Sequence, residues 1–246
     1  RMKLPHKADL PTFLAAGAAG FFFYMITFNK GQATVTAATG SVVIATAPVI
    51  TALLARFVYK EKLCGFQWAA VIIEFAGVLV LTLMNGVFSI NIGLLWLFLA
   101  ALALSIYNLL QRLLTNSYNA LQTSTFSIFF GTILLAIFLP DSVREVSCAP
   151  GIQLFYIAVL GIFSSAIAYV SWSKAFTMAK QTSQVSNYMF ITPFLTSILG
   201  FLIAGEIPDR ATLLGGTIII FGIFVFNFGG KIYDSIYKKY KKKSMV

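Results

Sequence analysis

The sequence predicts an all-α integral membrane protein built on inverted five-helix repeats. Three observations predict this class: a composition too apolar for a soluble domain, eight long stretches almost free of charge, and a self-match at a shift of 145 residues. Of 246 residues, 59% are hydrophobic and 11% charged, where soluble domains carry roughly 45–50% and ~25%. A soluble fold of this size could not hide so much apolar surface.

The eight stretches are taken in chain order as spans. Residues 11–28, 31–55, 86–111, 113–140, 146–173, 181–205 and 211–230 contain no Asp, Glu, Lys or Arg, and 63–84 contains only Glu74. Each comes close to or exceeds the roughly 20 apolar residues that a membrane-crossing helix needs. With both termini inside, the inner loops hold Arg1, Lys3, Lys7, Arg56, Lys60, Lys62, Arg112, Lys174, Lys180 and the six lysines of the tail. The outer loops hold Lys30, Arg144 and Arg210. The bias of basic residues toward the cytoplasm therefore sets both termini there, and a bacterial plasma (inner) membrane is the expected location.

The net charge of +10 does not point to nucleic acid, because six of the 18 basic residues sit together after the last span. A solvated tail over residues 231–246 that meets anionic lipid accounts for them, at ~1 kcal/mol per basic residue near the surface. Cys64 and Cys148 fall on opposite sides of the membrane and cannot pair. His6 has no ligand partners, so neither a metal nor a cofactor is expected. No signal-peptide pattern opens the chain.

The shift of 145 residues puts Tyr24 on Tyr169, Ser41 on Ser186, Pro48 on Pro193 and Thr51 on Thr196. It also puts Glu61 on Glu206, Ile73 on Ile218 and Gly77 on Gly222. Matching spans lie five apart, an odd number, so the two copies are inverted in the membrane. Residues 1–85 then hold the last three helices of the first repeat and 86–230 the five of the second. Two further helices, about 55 residues at typical span length, are expected upstream of residue 1.

Two segments carry a resemblance to the drug/metabolite transporter superfamily, in its EamA-type branch of ten-helix carriers: ATAPVITALLARFVYKEKLCGFQWAAVIIEFAGVLVL and its later echo SAIAYVSWSKAFTMAKQTSQVSNYMFITPFLTSILGFLIAGEIPDRATLLGGTIIIFGIFVF. The shared pattern is a mid-helix proline, a glutamate at the helix end and a glycine-containing closing helix, and it covers residues 12–228. The resemblance implies a pseudo-twofold bundle with a central cavity and alternating access. It also implies amino acids, other metabolites or toxic amphiphiles as substrates, with export common.

Pro48 and Pro193 remove a backbone bond inside a span and read as packing kinks or as hinges. Glu74 lies 12 residues beyond Lys62, about 18 Å along a helix, near the middle of a ~30 Å core. Charge at that depth is costly and faces the bundle. Glu74 is thus either a structural polar contact or the group that carries a proton in coupled transport; its repeat partner is Ile219. Lys174 sits six residues before Lys180, about 9 Å deeper. It either snorkels to the headgroups or points inward to hold a carboxylate or phosphate.

Polar groups inside spans need helical or aqueous neighbours. On that ground Ser41, Gln184 and Asn187, with Tyr24, Tyr107, Asn108, Tyr169, Trp172 and Lys174, are candidates to line a substrate path. Glu61 and Glu206 read as structural, each holding the turn into the next helix, and Gly77 and Gly222 belong to the closing-helix pattern. No Walker, GxSxG or HExxH motif is present, so an enzyme is not expected. The reading is a secondary carrier of a small polar or amphiphilic metabolite, with a homodimer left open. A nucleotide-sugar or sugar-phosphate exchanger is the alternative within the superfamily. A membrane-embedded transferase or a non-transporting scaffold is the alternative outside it.

Overall fold

The computed structural model describes residues 4–35, 37–84, 92–204 and 210–243. Side chains are described for all of these except 37–39, 41, 81, 82, 196, 197, 200, 201, 203, 204, 212 and 230–243. Every regular element among them is helical. Helix α1 runs Lys7–Gln32 and is followed by α2 (Ala37–Ile44), α3 (Ala47–Val58) and α4 (Gly65–Leu83). Then come α5 (Ile92–Leu114), α6 (Ala120–Cys148) and α7 (Gly151–Met178). A short α8 (Thr182–Ser186) passes through a 3₁₀ turn, Asn187–Ile191, into α9 (Thr192–Ala204), and α10 (Arg210–Lys243) closes the bundle.

Four of these, α1, α5, α6 and α7, are long and apolar enough to cross a membrane, with mean hydropathy of 1.5 to 2.0. Shorter apolar helices occupy Val42–Val58, Gly65–Val80 and Leu213–Gly229. In lipid a helix satisfies its own backbone groups, which is why these sequences take no other form. Their ends are sealed locally. The Asn119 side chain accepts from the Gln122 N–H at 2.9 Å, while Gln122 accepts from the Asn119 N–H, a reciprocal cap that starts α6.

Two spans break just ahead of a proline. Thr46 separates α2 from α3, and Pro48 sits in the first turn of α3. Asn187–Ile191 separates α8 from α9, and Pro193 sits in the first turn of α9. Ala47 and Thr192, which open the second halves, are 145 residues apart. A proline tolerates a first turn because its missing N–H has no intrahelical partner there. The shift also brings together two wide π-helical stretches, Ala18–Phe23 in α1 and Leu160–Ile167 in α7.

Close packing rests on glycine. Gly17 of α1 lies so near α6 that a Cβ there would meet the Gly131 N at 2.6 Å and the Ser127 carbonyl at 2.7 Å. Between α4 and α10, a Cβ on Gly77 would meet Ile219 at 2.8 Å and the Gly215 carbonyl at 2.9 Å. Reciprocally, Gly222 lies against the Glu74 side chain and the Ala70 carbonyl. Each member of one contact is 145 residues from its counterpart in the other, so the α4–α10 seam is pseudo-symmetric. Two cores result. One gathers Val71, Val78, Phe190, Ile219 and Phe226, and the other Phe13, Phe21, Tyr107 and Leu114.

Candidate functional site: a buried polar node

The polar groups of α5 do not face lipid. Asn108 is fully buried, and its carboxamide joins three other elements. It accepts from the Trp172 indole N–H of α7 at 3.1 Å. It donates to the Thr51 hydroxyl of α3 at 3.4 Å and to the Met189 sulfur in the 3₁₀ turn at 3.7 Å. One turn along α5, the Gln111 amide donates to the Tyr107 hydroxyl. Gln111 accepts from Ser173 of α7 at 2.9 Å. The Ser173 and Ser124 hydroxyls lie 2.6 Å apart, and Ser124 shares its one proton between Ser173 and the Tyr169 carbonyl at 2.9 Å. Such a network is stable in a dry interior because each buried group finds a partner.

Trp172 also opens outward. With Gln184, Met178 and Tyr188 it lines a cleft of about 340 Å³ between α7 and α8. The indole thus touches the buried carboxamide at one end and the cleft with its ring. An aromatic face beside an amide-rich node suits a small solute with an ammonium group and an apolar body.

The remaining candidates fall in three places. Tyr169 packs between Phe21 at 4.8 Å and Tyr107 at 5.9 Å, and Tyr24 stacks on Phe28 at 5.5 Å. Lys174 is exposed and lines a separate groove of about 660 Å³ with Thr115, Tyr118, Asn119 and Thr177. Asn187 donates to Glu74 at 3.1 Å, both side chains being buried. The Ser41 side chain and Glu206 lie outside the described residues.

The break at Thr46 has a catch of its own, since Ser105 of α5 donates to the Ala47 carbonyl at 2.9 Å. At the other end, two charged side chains clamp the junction of α7 and α8. Arg112 donates to the carbonyls of Phe176 at 2.6 Å, Ala179 at 2.7 Å and Lys180 at 3.0 Å. Glu61 accepts from the Thr182 N–H at 2.6 Å, the Ser183 N–H at 3.3 Å and the Ser183 hydroxyl at 3.0 Å. The carboxylate therefore caps α8, 121 residues away, and not the α4 helix that follows it in sequence. An anion at a helix start and a cation at a helix end both oppose the local dipole.

Sequence reasoning did not single out Gln111, Ser173, Ser124 or Arg112 as site or clamp residues. A signal existed for the first: Gln111 lies three residues after Asn108, and that spacing shares a helix face.

A transporter-family model matches this arrangement over nearly the whole chain, at residues 1–83 and 91–228. The chain belongs to the EamA-like transporter family. It is therefore an integral membrane transporter of small molecules and not an enzyme. It is similar to the uncharacterized transporter YdfC of Bacillus subtilis (strain 168), 34% identical over 224 residues, which covers 91% of this chain and 73% of that protein. It is 28% identical over 226 residues to a probable terminal-alkyne amino-acid exporter of Streptantibioticus cattleyicolor, covering 92% of this chain and 76% of the exporter. An S-adenosylmethionine uptake transporter of Rickettsia felis is 28% identical over 200 residues, 81% of this chain and 66% of its own length. A solved crystal structure superposes with a TM-score of 0.74 over 92% of this chain and 77% of that chain, at 18% identity, a likeness of fold.

Proposed function

We propose that this EamA-family protein is a secondary carrier that exports a small zwitterionic or amphiphilic metabolite, of the amino-acid class, by alternating access. The observation that carries the reading is the node at Asn108. There a single buried carboxamide is held by Trp172, Thr51 and Met189, and Met189 lies in the break ahead of Pro193. A solute that displaces one of these bonds changes what the broken segment is tied to. In this reading Pro48 and Pro193 are the hinges, and Trp172, Gln184 and Asn108 meet the solute. The likeness to an amino-acid exporter supports the substrate class.

The carrier is read as inverted repeats of five helices each, with 86–230 as the complete second repeat and the spans of 1–85 belonging to the first. The paired breaks, the paired π-helical stretches and the reciprocal Gly77 and Gly222 contacts support that reading. Both termini lie in the cytoplasm, and the lysine-rich tail meets anionic lipid. Glu74 carries the proton that is exchanged for solute. A substrate with two or more phosphate charges fits less well, because Lys174 opens onto a groove apart from Trp172 and Asn108.

The test is counterflow by the full-length protein in proteoliposomes, with labelled amino acids, with and without a pH gradient. Saturable, trans-stimulated uptake that responds to the gradient is expected. Counterflow of nucleotide sugars but of no amino acid would overturn the substrate class, and no counterflow of any solute would overturn the carrier reading.

A further inference from the structure

We infer that Glu74 and Asn187 together form a proton site, in which one proton on Glu74 Oε2 closes an acid–amide pair and ties α4 to the break between α8 and α9. The inference deepens the proton-coupled carrier reading above and rests on it.

The starting point is an imbalance of donors and acceptors. Both side chains are buried, at 0% and 1% exposure. The Asn187 amide donates to Glu74 Oε1 at 3.1 Å. Glu74 Oε2 and Asn187 Oδ1 are left buried with no hydrogen-bond partner. An ionised carboxylate only accepts, and so does an amide oxygen, so the two orphans cannot satisfy each other. A proton on Oε2 turns one of them into a donor and leaves the other to receive it. With carboxyl and carboxamide already joined by the Nδ2–Oε1 bond, one proton would close the cyclic pair and serve both orphaned atoms. A hard metal cation would collect six or more oxygens, and the pair leaves two free.

The neighbours give the carboxyl no other partner. From α10 the backbone at Gly222 lies against the Glu74 side chain, and from the 3₁₀ turn comes Asn187. Helices α2 and α9 also pack on α4 and contain no titratable or charged residue, and among the described residues neither α10 nor the turn brings one against the carboxyl. The same slot on the other side of the seam takes Ile219, an apolar residue, against Gly77. A slot built for isoleucine accepts a neutral acid far more readily than a carboxylate.

The consequence is mechanical. Asn187 is the first residue of the 3₁₀ turn, and Met189, two residues on, accepts from Asn108. Proton and solute therefore act on one short segment from opposite sides. Loss of the proton to water removes the O–H donor and leaves two buried acceptors side by side, so that the turn is held to α4 by the Asn187 N–H bond alone. Solute at Trp172 and Asn108 loosens the bond to Met189. A shared two-state element of this kind is what coupling between sites requires.

Infrared difference spectroscopy, acid minus alkaline, on the full-length protein in lipid vesicles tests the pair directly. A carboxylic-acid band is expected that is missing in Glu74→Gln and shifted in Asn187→Leu. If Asn187→Leu does not fold, Asn187→Asp, of the same size, must shift the band. Glu74→Gln replaces the acid O–H with an amide N–H. It should keep native thermal stability and lose the response of transport to a pH gradient. No band assignable to Glu74, a band unmoved by either Asn187 variant, or a band abolished by sodium alone would overturn the pair. Failure of the carrier reading looks different: the band pattern would be intact while no solute shows counterflow.

Discussion

Helices α1 and α7 fall on each other at the 145-residue shift and differ in environment. They are 26 and 28 residues long, have mean hydropathy of 1.5 and 2.0, and each carries a π-helical stretch ahead of a tyrosine, Tyr24 or Tyr169. Yet 39% of the apolar window of α1 is buried and none of that of α7. The reason is neighbours. Helix α1 packs on both α5 and α6, through Gly20 against Tyr107 and Gly17 against Gly131. Helix α7 meets α5 and α6 only along its C-terminal half, through Trp172, Ser173 and the carbonyls gripped by Arg112. Hydropathy states that a helix lies in lipid or protein, and it does not distinguish between them, because lipid tails are as apolar as leucine.

The sharpest way to break this comparison is to add bulk to each helix. Gly17→Leu should cost about 3 kcal/mol of stability by overpacking against α6. Gly161→Leu in α7, where an added Cβ meets nothing, should stay within about 0.5 kcal/mol. Thermal unfolding of the purified variants reads both. An equal cost at the two sites would mean that the face of α7 at Gly161 is packed and not open.

The next effect is at the anchored end of α7. Arg112→Ala removes three charge-assisted bonds and should cost about 2 kcal/mol. Amide hydrogen exchange over residues 176–183 should rise while that of α1 does not change. Equal protection of residues 176–183 in the wild type and in Arg112→Ala would show that the clamp is ornamental.

A smaller change separates binding from folding. Trp172→Phe keeps the ring and loses the N–H to Asn108, which should weaken substrate affinity about fivefold, the equivalent of ~1 kcal/mol, with an unchanged melting temperature. A lower melting temperature with unaltered affinity would make the node structural.

The smallest effect lies at the start of α1. Tyr118 donates to Asp9 and accepts from the His6 N–H, and the bond to Asp9, followed by burial, raises its phenol above the usual value of 10.0. A raised folded-state value stabilises the protein fully below pH about 10 and loses that contribution as pH climbs through the folded value. The stability gap between the wild type and Tyr118→Phe should therefore persist at pH 8 and close in strong alkali. A gap that ignores pH would show that the hydroxyl contributes nothing through ionisation.

Much of the site was legible because membranes punish isolated polarity. Asn108, Trp172 and Gln184 stand out in charge-free spans, and Glu74 stands out as the one acid in its span. Their pairing was not legible. Asn187 reads as a path residue in sequence, but it is 113 residues from the Glu74 that it binds. Glu61 reads as a local turn holder, yet it caps α8. Ser124 and Ser173 look unremarkable among the many serines of apolar helices, and only the crossing of α6 with α7 makes them a pair.

By itself the sequence determined the class, the helical material, the spans that Pro48 and Pro193 interrupt, and the membership of a transporter family. The class and the helices follow from composition and periodicity, which act locally and at a cost every helix must meet alone, and the family follows from the residue pattern it shares. The tertiary structure decided which polar group answers which, that Glu74 faces Asn187, and that α1 is covered where α7 is bare. Helix rotation and crossing settle such pairings, and these depend on all neighbours at once.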